Sequence, residues 1–234
     1  MVQTRNKMNS KLTTIITIDG PSGVGKGTLA RKLVQKLGFS LLDSGAIYRL
    51  AALKIAEYDI NYNDLEAVKN YLKQPLKINF EVNYKVTRVY LDNRDVSDQV
   101  RLEKTGMLAA KIANIPAVRE VLLQKQRSFS INTIGLVADG RDMGTVVFPK
   151  AQFKFFLTAS SEIRAKRRYD ELISQGQLPN FDKILTQLKQ RDFQDHRRTL
   201  ESLKSESICI INTSGLSPNK VFEEALLTLN NRKN

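Results

Sequence analysis

The 234-residue chain is poor in the residues that build metal centres and covalent cross-links, with one cysteine, one histidine and no tryptophan. The single cysteine, Cys209, excludes an internal disulfide and a multi-cysteine zinc site, which favours a reducing cytosol. The single histidine, His196, argues against the common zinc-hydrolase arrangements. No apolar run approaches the roughly 18 residues of a membrane span, so we expect a cytoplasmic protein with no membrane partner.

Negative charge is scarce as well, because 37 lysines and arginines outnumber 24 aspartates and glutamates and give a net charge of +13. Such an excess indicates an anionic partner, which can be a nucleic acid, an acidic membrane surface or a phosphorylated small molecule. The excess is uneven, since residues 1–40 hold seven basic side chains and one acidic side chain. A nucleic-acid-binding stripe across the whole surface would distribute the basic residues more evenly along the chain. Residues 1–12 are interpreted as a flexible basic leader.

Five short apolar runs alternate with segments of helical character. These runs are Thr13–Ile18, Phe39–Leu42, Ile134–Ala138, Phe153–Leu157 and Ile208–Ile211. Runs with little polar alternation are typical of strands buried on both faces of a parallel sheet. We therefore predict a three-layer α/β/α fold with a five-stranded parallel sheet, and we interpret Cys209 as an inert buried residue of the last strand.

One stretch departs from this alternation. Lys77–Val82 and Thr87–Asp92 flank a short turn and predict an antiparallel hairpin, with Arg94–Val96 as a candidate third strand. Two helical segments follow the hairpin, at Glu103–Asn114 and Ala117–Ser130. A small antiparallel unit inside a parallel core predicts a substrate-capping insert at residues 61–130.

The strongest motif lies between the first predicted strand and a helix predicted from about Gly27 to Leu37. Its residues are Gly20, Pro21, Ser22, Gly23, Val24, Gly25, Lys26, Gly27 and Thr28. Glycines let the backbone wrap a phosphate with its N–H groups, and the N-terminus of the helix adds positive potential. Lys26 can reach the β- and γ-phosphates, and the Thr28 hydroxyl can contact Mg²⁺ or a phosphate oxygen. The segment therefore predicts a site for a triphosphate donor.

This motif departs from the general P-loop pattern, because Gly27 separates Lys26 from Thr28. The Gly-Lys-Gly-Thr ending resembles that of nucleoside monophosphate kinases. The chain lacks the Asn-Lys-x-Asp segment with which GTPases read their base, and motors and helicases are usually larger. We therefore expect a small-molecule kinase that uses ATP, with a basic P-loop protein that binds RNA as the alternative.

A polar turn after the second predicted strand offers contacts for an anionic acceptor. Ser44 and Arg49 can grip such a group, the arginine through a two-pronged contact, near a helix predicted over Tyr48–Glu57. The alternative is that Asp43 or Ser44 caps this helix and Arg49 is an ordinary surface arginine.

Charged residues between glycines follow the third main strand, at the edge where α/β folds bind their ligands. Asp139 is well placed to organise Mg²⁺ or its water shell, and Arg141 and Asp142 can face the base of the acceptor. An ordinary solvated loop is the alternative for this segment, Ala138–Pro149.

Together these segments resemble the cytidylate kinases of the bacterial type, from about Ile15 to the final helix. The most specific stretches are Ile18–Thr28, Leu41–Arg49, Val118–Leu122 and Ala138–Pro149. The resemblance implies that ATP donates its γ-phosphoryl group to CMP or dCMP, giving ADP and CDP or dCDP, with Mg²⁺ as cofactor. It also implies a monophosphate-binding insert at 61–130, a helical lid at about 164–198 and a core formed by residues 13–60 and 131–234.

The resemblance implies roles for individual residues as well. Catalytic roles fall to Lys26, Asp139, Arg191 and Arg198, with Mg²⁺ held by Thr28 and, largely through water, by Asp139. Acceptor binding falls to Ser44, Arg49, Arg119, Arg141, Asp142, Arg191, Asp195 and Arg198. Arg167 or Arg168 would lie near the phosphates, and a solvated helix face is the alternative for any one of these lid arginines.

The choice of acceptor base depends on Asp142 and on one departure from the family pattern. A carboxylate accepts a hydrogen bond from the cytosine amino group and repels the carbonyl of uracil, so Asp142 favours cytosine. The family usually has a serine where this chain has Ala110, so a kinase for another monophosphate, such as UMP, stays open. An alcohol acceptor is disfavoured, since the shikimate type carries two aspartates where this chain has Asp43 alone. We expect a monomer that binds small nucleotides and no nucleic acid.

Overall fold

Residues 13–61, 64–83, 85–204 and 207–231 are described by a computed structural model of the protein. The basic leader predicted at residues 1–12 lies outside the described residues, as do the side chains of His196 and Arg198. No helix within the described ranges is both long enough and apolar enough to cross a bilayer.

The strands of the described chain are β1 (Thr14–Asp19), β2 (Ser40–Asp43), β3 (Ile78–Val82), β4 (Thr87–Leu91), β5 (Arg94–Asp95), β6 (Gly135–Asp139), β7 (Phe153–Thr158) and β8 (Ile208–Asn212). Five of them form a parallel sheet in the order β2-β6-β1-β7-β8. The five strands predicted from the apolar runs are thus confirmed, each within one residue of its expected ends. Cys209 is half-buried and not fully buried as expected, because β8 is an edge strand of the sheet.

The helices of the described chain are α1 (Lys26–Leu37), α2 (Ser44–Glu57), α3 (Leu65–Lys73), α4 (Ser97–Arg101), α5 (Glu103–Ile112), α6 (Pro116–Ser128), α7 (Ser161–Ser174), α8 (Phe181–Leu203) and α9 (Pro218–Asn231). Alternate side chains of the sheet enter two hydrophobic cores on its opposite faces. Leu136 packs among side chains of α2, α3 and α6, whereas Val137 packs among those of α1 and α9. This arrangement confirms the predicted three-layer α/β/α fold.

Local sequence signals explain where α1 ends and where α2 begins. α1 ends at Gly38, which has a left-handed φ of 67° and donates its N–H to a carbonyl of the last helical turn. α2 begins at Ser44, four residues before the predicted start at Tyr48, because Asp43 Oδ1 accepts a hydrogen bond from Ala46 N at 2.9 Å. The alternative that Asp43 caps this helix is therefore confirmed.

The strands β3, β4 and β5 form a separate antiparallel sheet, which confirms the predicted hairpin and its third strand. Asn83 Oδ1 closes the hairpin turn by accepting a hydrogen bond from Val86 N at 2.8 Å. Val89 and Leu91 of this sheet pack with Leu50 of α2 in a small core of their own. The small sheet is thereby attached to the helix that starts at the carboxyl end of β2.

The segment after β6 differs most from the sequence-based expectation. Met143–Val147 form a π-helical turn, and Asp142 and Met143 are buried. Asp19 accepts hydrogen bonds from Met143 N and Gly144 N, both at 2.8 Å, and so ties this turn to the end of β1. A solvated loop is therefore wrong for this segment. The helices α3 and α4 were not expected either, since short polar segments carry little periodicity.

The order of the strands determines where a ligand can bind. The connection from β1 leads to β2 on one side of the sheet, whereas the connection from β7 leads to β8 on the other side. Such a reversal leaves a crevice beyond the carboxyl ends of the strands. The predicted phosphate loop follows β1 and therefore lies at this crevice.

Candidate active site

The loop between β1 and α1 has a backbone that suits a bound phosphate. Gly25 has a left-handed φ of 100°, and Gly20 has a φ of 144°. A Cβ at Gly20 would lie 2.3 Å from the carbonyl oxygen of Leu157, so only glycine fits between the loop and β7. The start of α1 has no side-chain cap and no acidic residue in its first turn. Its free N–H groups are therefore available to an anion.

Lys26, the first residue of α1, lies against this loop. Its Nζ donates a hydrogen bond to the carbonyl oxygen of Pro21 at 3.0 Å. Burial lowers the pKa of Lys26 to about 8, and the negative charge of Asp139 limits the decrease. The ammonium group thus keeps its charge at neutral pH and faces the phosphate site.

Three aspartates end the adjacent strands β1, β6 and β2, so their carboxyl groups lie at one edge of the sheet. They are Asp19, Asp139 and Asp43, the last two being paired in register. Burial raises the pKa of Asp139 to about 7, an effect that Lys26 partly offsets. Burial also raises the pKa of Asp19 to about 6, and it raises the pKa of Asp43. This concentration of carboxylates favours a cation nearby.

A cleft of about 290 Å³, here called the acceptor cleft, opens between the phosphate loop, α2, α5 and α8. Ten of the predicted site residues line it: Ser22, Lys26, Ser44, Arg49, Arg119, Asp139, Arg141, Asp142, Arg191 and Asp195. Tyr48, Asn114 and Gln194 also line the cleft and were missed. Tyr48 lies four positions after Ser44, and Asn114 lies four positions after Ala110. Residues at this spacing share one face of a helix, and this was the signal that could have found them.

Ion pairs organise the charged side chains of the acceptor cleft. Arg119, which is partly buried, forms an ion pair with Asp142, which is buried. Arg141 Nη1 lies 2.9 Å from a carboxylate oxygen of Asp195, and its Nη2 donates a hydrogen bond to Ser22 Oγ at 2.6 Å. Arg141 therefore connects the phosphate loop with α8, while the pair Arg119–Asp142 offers both donors and an acceptor to a ligand.

The two residues predicted at the start of α2 are positioned differently. Ser44 is buried at the first position of the helix. Arg49 is half-buried, and its Nη1 donates a hydrogen bond to the carbonyl oxygen of Val100 at 2.7 Å. Burial, with Arg191 nearby, lowers the pKa of the Arg49 guanidinium. Arg49 thus faces other positive charge in the cleft, which an anionic ligand would neutralise.

Four cationic side chains lie close together in the N-terminal part of α7, and they have different partners: Arg164, Lys166, Arg167 and Arg168. Arg164 is buried, pairs with Asp192 of α8 and donates a hydrogen bond from Nη1 to the carbonyl oxygen of Ser22 at 3.0 Å. Arg167 donates to Thr213 Oγ1 at 3.0 Å. Arg168 pairs with Glu171 on the exposed side of the helix. Sequence reasoning had not distinguished Arg164, because its partner is 28 residues away.

A second cleft of about 160 Å³, here called the apolar cleft, lies on the other side of the phosphate loop. Its lining is mostly apolar: Val24, Gly25, Thr28, Leu29, Arg167, Thr213, Leu216, Pro218 and Val221. Of the remaining predicted residues, Gly20, Pro21 and Gly23 belong to the loop itself, and Gly27 is the second residue of α1. The two clefts therefore meet at the phosphate loop, whose backbone suits a bound anion.

Three features together define a P-loop kinase of small molecules. They are a parallel sheet with a phosphate loop after its first strand, an acidic strand end beside that loop, and a cleft lined by arginines. The sequence model of the family described as cytidylate kinase matches residues 16–231. The chain belongs to the cytidylate kinase family, as its resemblance predicted. The comparisons do not favour a UMP kinase or an RNA-binding protein.

Named relatives agree with the family. The cytidylate kinase of Shewanella denitrificans is 46% identical over 220 residues, which cover 93% of this chain and 96% of the relative. That of Actinobacillus succinogenes is 48% identical over 219 residues, covering 91% of this chain and 96% of the relative. Among solved structures, shikimate kinase from Bacteroides thetaiotaomicron has 13% identity and a TM-score of 0.44, covering 92% of this chain and 95% of its own.

Proposed function

We propose that this chain transfers the γ-phosphoryl group of ATP to CMP or dCMP in the cytoplasm, with ADP and CDP or dCDP as products. The observation that carries the proposal is the position of two clefts on either side of one phosphate loop, one apolar and one lined by arginines. Membership of the cytidylate kinase family supports the same reaction. The protein acts as a monomer in this proposal.

The donor nucleotide occupies the loop and the apolar cleft. Leu29, Leu216 and Val221 provide an apolar surface for the adenine ring. The loop N–H groups and Lys26 receive the phosphates, since Lys26 keeps its charge at neutral pH. The adenine ring of ATP thereby meets an apolar surface, and its phosphates meet N–H groups and a positive charge.

The residues at the loop fit Mg²⁺ as the cofactor. Thr28 offers a hydroxyl group, and Asp139 offers a carboxylate. Burial and two neighbouring aspartates disfavour the negative charge of Asp139, and a bound cation would stabilise that charge. No group of three acidic, histidine or cysteine side chains within the described ranges could hold a metal by itself. Phosphate oxygens and water would complete its coordination. Bound Mg²⁺ would neutralise part of the charge on the β- and γ-phosphates.

The acceptor nucleotide occupies the acceptor cleft. Ser44 and Arg49 bind its phosphate at the start of α2, and Arg119 contributes a further positive charge. Arg141 and Asp142 face its base and sugar. Asp142 favours cytosine, because a carboxylate can accept a hydrogen bond from the amino group that uracil lacks.

The transfer step forms one bond and breaks one bond. An oxygen of the CMP phosphate bonds to the γ-phosphorus of ATP while the bond from that phosphorus to the β–γ bridging oxygen breaks, and its electron pair stays with ADP. The attacking oxygen is already anionic and needs no general base. Lys26, Arg191 and Arg198 neutralise the charge that spreads over the transferred group.

Two parts of the chain move around this centre in the proposal. Residues 61–130 form the monophosphate-binding insert, and residues of about 164–198 form a helical lid on the core of 13–60 and 131–234. The lid carries Arg191 and Asp195, which already line the acceptor cleft. Its closure over both nucleotides would exclude water, so that ATP is not hydrolysed.

An acceptor panel tests this function. The protein is supplied with ATP and Mg²⁺ together with CMP, dCMP, UMP, AMP or no acceptor, and both ADP and the new diphosphate are measured. We expect ADP and diphosphate in equal amounts, with CMP and dCMP turned over faster than UMP and AMP. Equal ADP formation without an acceptor, or faster turnover of AMP than of CMP, would refute the proposal.

A further inference from the structure

One wall of the acceptor cleft is contributed by α5 and the two residues that follow it. Its members are Gly106, Ala109, Ala110, Ala113 and Asn114. The Arg49 guanidinium lies against Gly106, so a flat ring can approach the helix closely only along the alanines, which have a single side-chain carbon. Asn114 is its polar member, and its side chain is exposed.

A hydrogen bond determines which end of the Asn114 amide is available to a ligand. Asn114 Nδ2 donates to the carbonyl oxygen of Ala110 at 3.2 Å. Because a carbonyl oxygen can only accept, the NH₂ end of the amide must face Ala110. Its other end, Oδ1, accepts no hydrogen bond from the residues that the structure describes. Asn114 therefore offers a neutral acceptor at the cleft.

The acceptor end of Asn114 complements what Asp142 provides in the same cleft. One carboxylate oxygen of Asp142 is already engaged by Arg119. Cytosine carries an amino group with two hydrogens where uracil carries a carbonyl oxygen. A second acceptor would therefore find a partner in cytosine and be repelled by uracil.

We infer that Asn114 is a specificity-determining residue whose Oδ1 accepts a hydrogen bond from the exocyclic amino group of the acceptor base. The inference rests on the proposed function, since it concerns the choice between CMP and UMP in the acceptor cleft. It assigns recognition to a residue that no motif had singled out, beside the alanine at position 110.

A purely structural role for Asn114 makes a different prediction. Its side chain bonds a carbonyl in the last turn of α5 and so also contributes to the end of that helix. Ser130 offers a matched control, because its Oγ donates to the carbonyl oxygen of Arg127 at 2.8 Å, at the end of α6 and outside the lining of the cleft. Loss of either helix-end bond should lower stability alike, whereas only Asn114 should alter the choice of base.

The experiment compares kcat/KM for CMP with kcat/KM for UMP in the wild type and in Asn114→Ala, Asn114→Asp and Ser130→Ala. Removing one hydrogen bond to the base should lower the CMP-to-UMP ratio of Asn114→Ala about threefold to tenfold, mainly through the KM for CMP. Asn114→Asp keeps acceptor oxygens and should retain at least the wild-type ratio. Ser130→Ala should leave the ratio unchanged while its melting temperature falls as much as that of Asn114→Ala.

Two results would overturn the inference: an unchanged ratio in Asn114→Ala, or an equal loss of the ratio in Asn114→Asp, which retains the acceptor. Either can occur while the wild type phosphorylates CMP normally, so the proposed function would then stand. A wild type that forms no CDP from CMP would instead refute the proposed function, and the inference with it.

Discussion

At the scale of single residues, the site depends on a lysine and a carboxyl group that influence each other. Burial moves the pKa of Lys26 down to about 8 and that of Asp139 up to about 7. Each charge stabilises the other, because Asp139 favours the protonated lysine and Lys26 favours the ionised carboxyl. The two protons therefore belong to the pair, and a change at one residue shifts the titration of the other.

The pH dependence of kcat/KM for ATP should be bell-shaped, since this quantity reports ionisations of the free enzyme. Activity should increase as Asp139 loses its proton near pH 7 and decrease as Lys26 loses its proton near pH 8. In Asp139→Asn, the rising limb should disappear and the falling limb should move to lower pH, because Lys26 loses the charge that keeps it protonated. Initial rates measured from about two pH units below the pKa of Asp139 to about two units above that of Lys26 cover both limbs.

Two variants serve as controls for this profile. Asp170→Asn removes an exposed carboxylate of α7 that pairs with Lys166, and both limbs should stay in place. Lys26→Met should abolish turnover at every pH while the protein still folds, which far-UV circular dichroism measures. A falling limb that does not move in Asp139→Asn would contradict the coupling of the two groups.

At the scale of secondary-structure elements, an ion pair between the buried Arg164 and the partly exposed Asp192 joins the phosphate loop to α7 and α8. Arg164 of α7 pairs with Asp192 of α8, and it also donates to the carbonyl oxygens of Ser22 and of Ala159 at 3.0 and 3.1 Å. Asp192 directly follows Arg191, which lines the acceptor cleft. The pair therefore links the part of α8 that lines the acceptor cleft to the phosphate loop.

A double-mutant cycle tests this connection. Arg164→Met, Asp192→Asn and the double variant are compared by chemical denaturation. Because Arg164 is buried, a lone Asp192→Asn should cost about 3 kcal/mol by leaving an uncompensated charge, and the two changes should couple by about 1–3 kcal/mol. The exposed pair Lys166–Asp170 on α7 is the matched control, and its coupling should be much weaker because water solvates both charges. Equal couplings in the two cycles would show that burial adds nothing to the Arg164 pair.

At the scale of the whole molecule, most of the fold and the centre of the site were predictable from local patterns. β6 is buried on both faces, so its sequence is a continuous apolar run that can be recognised as a strand. The glycines of the phosphate loop mark a turn whose conformation other residues do not tolerate. The net charge of +13 is consistent with an anionic partner, and several arginines of that excess line one cleft of nucleotide size.

The features that escaped prediction depend on contacts between distant residues. The π-helical turn at Met143–Val147 is held by Asp19 and by Arg127, whose Nη2 donates to the carbonyl oxygen of Val146 at 2.9 Å. Neither contact has a signal in the local sequence of the turn. Arg164 likewise could not be separated from its cationic neighbours, because its burial depends on how α7 packs against α8.

The acidic strand ends at Asp19, Asp43 and Asp139 have a consequence for the first step of the reaction. Near pH 7 the carboxyl of Asp139 is partly protonated in the free protein, and in the proposed function Mg²⁺ bound with the nucleotide would favour its ionised form. The heat of nucleotide binding should therefore vary with the ionisation enthalpy of the buffer, and this dependence should vanish in Asp139→Asn. The solution should thus take up a proton at binding, before any phosphoryl group has moved.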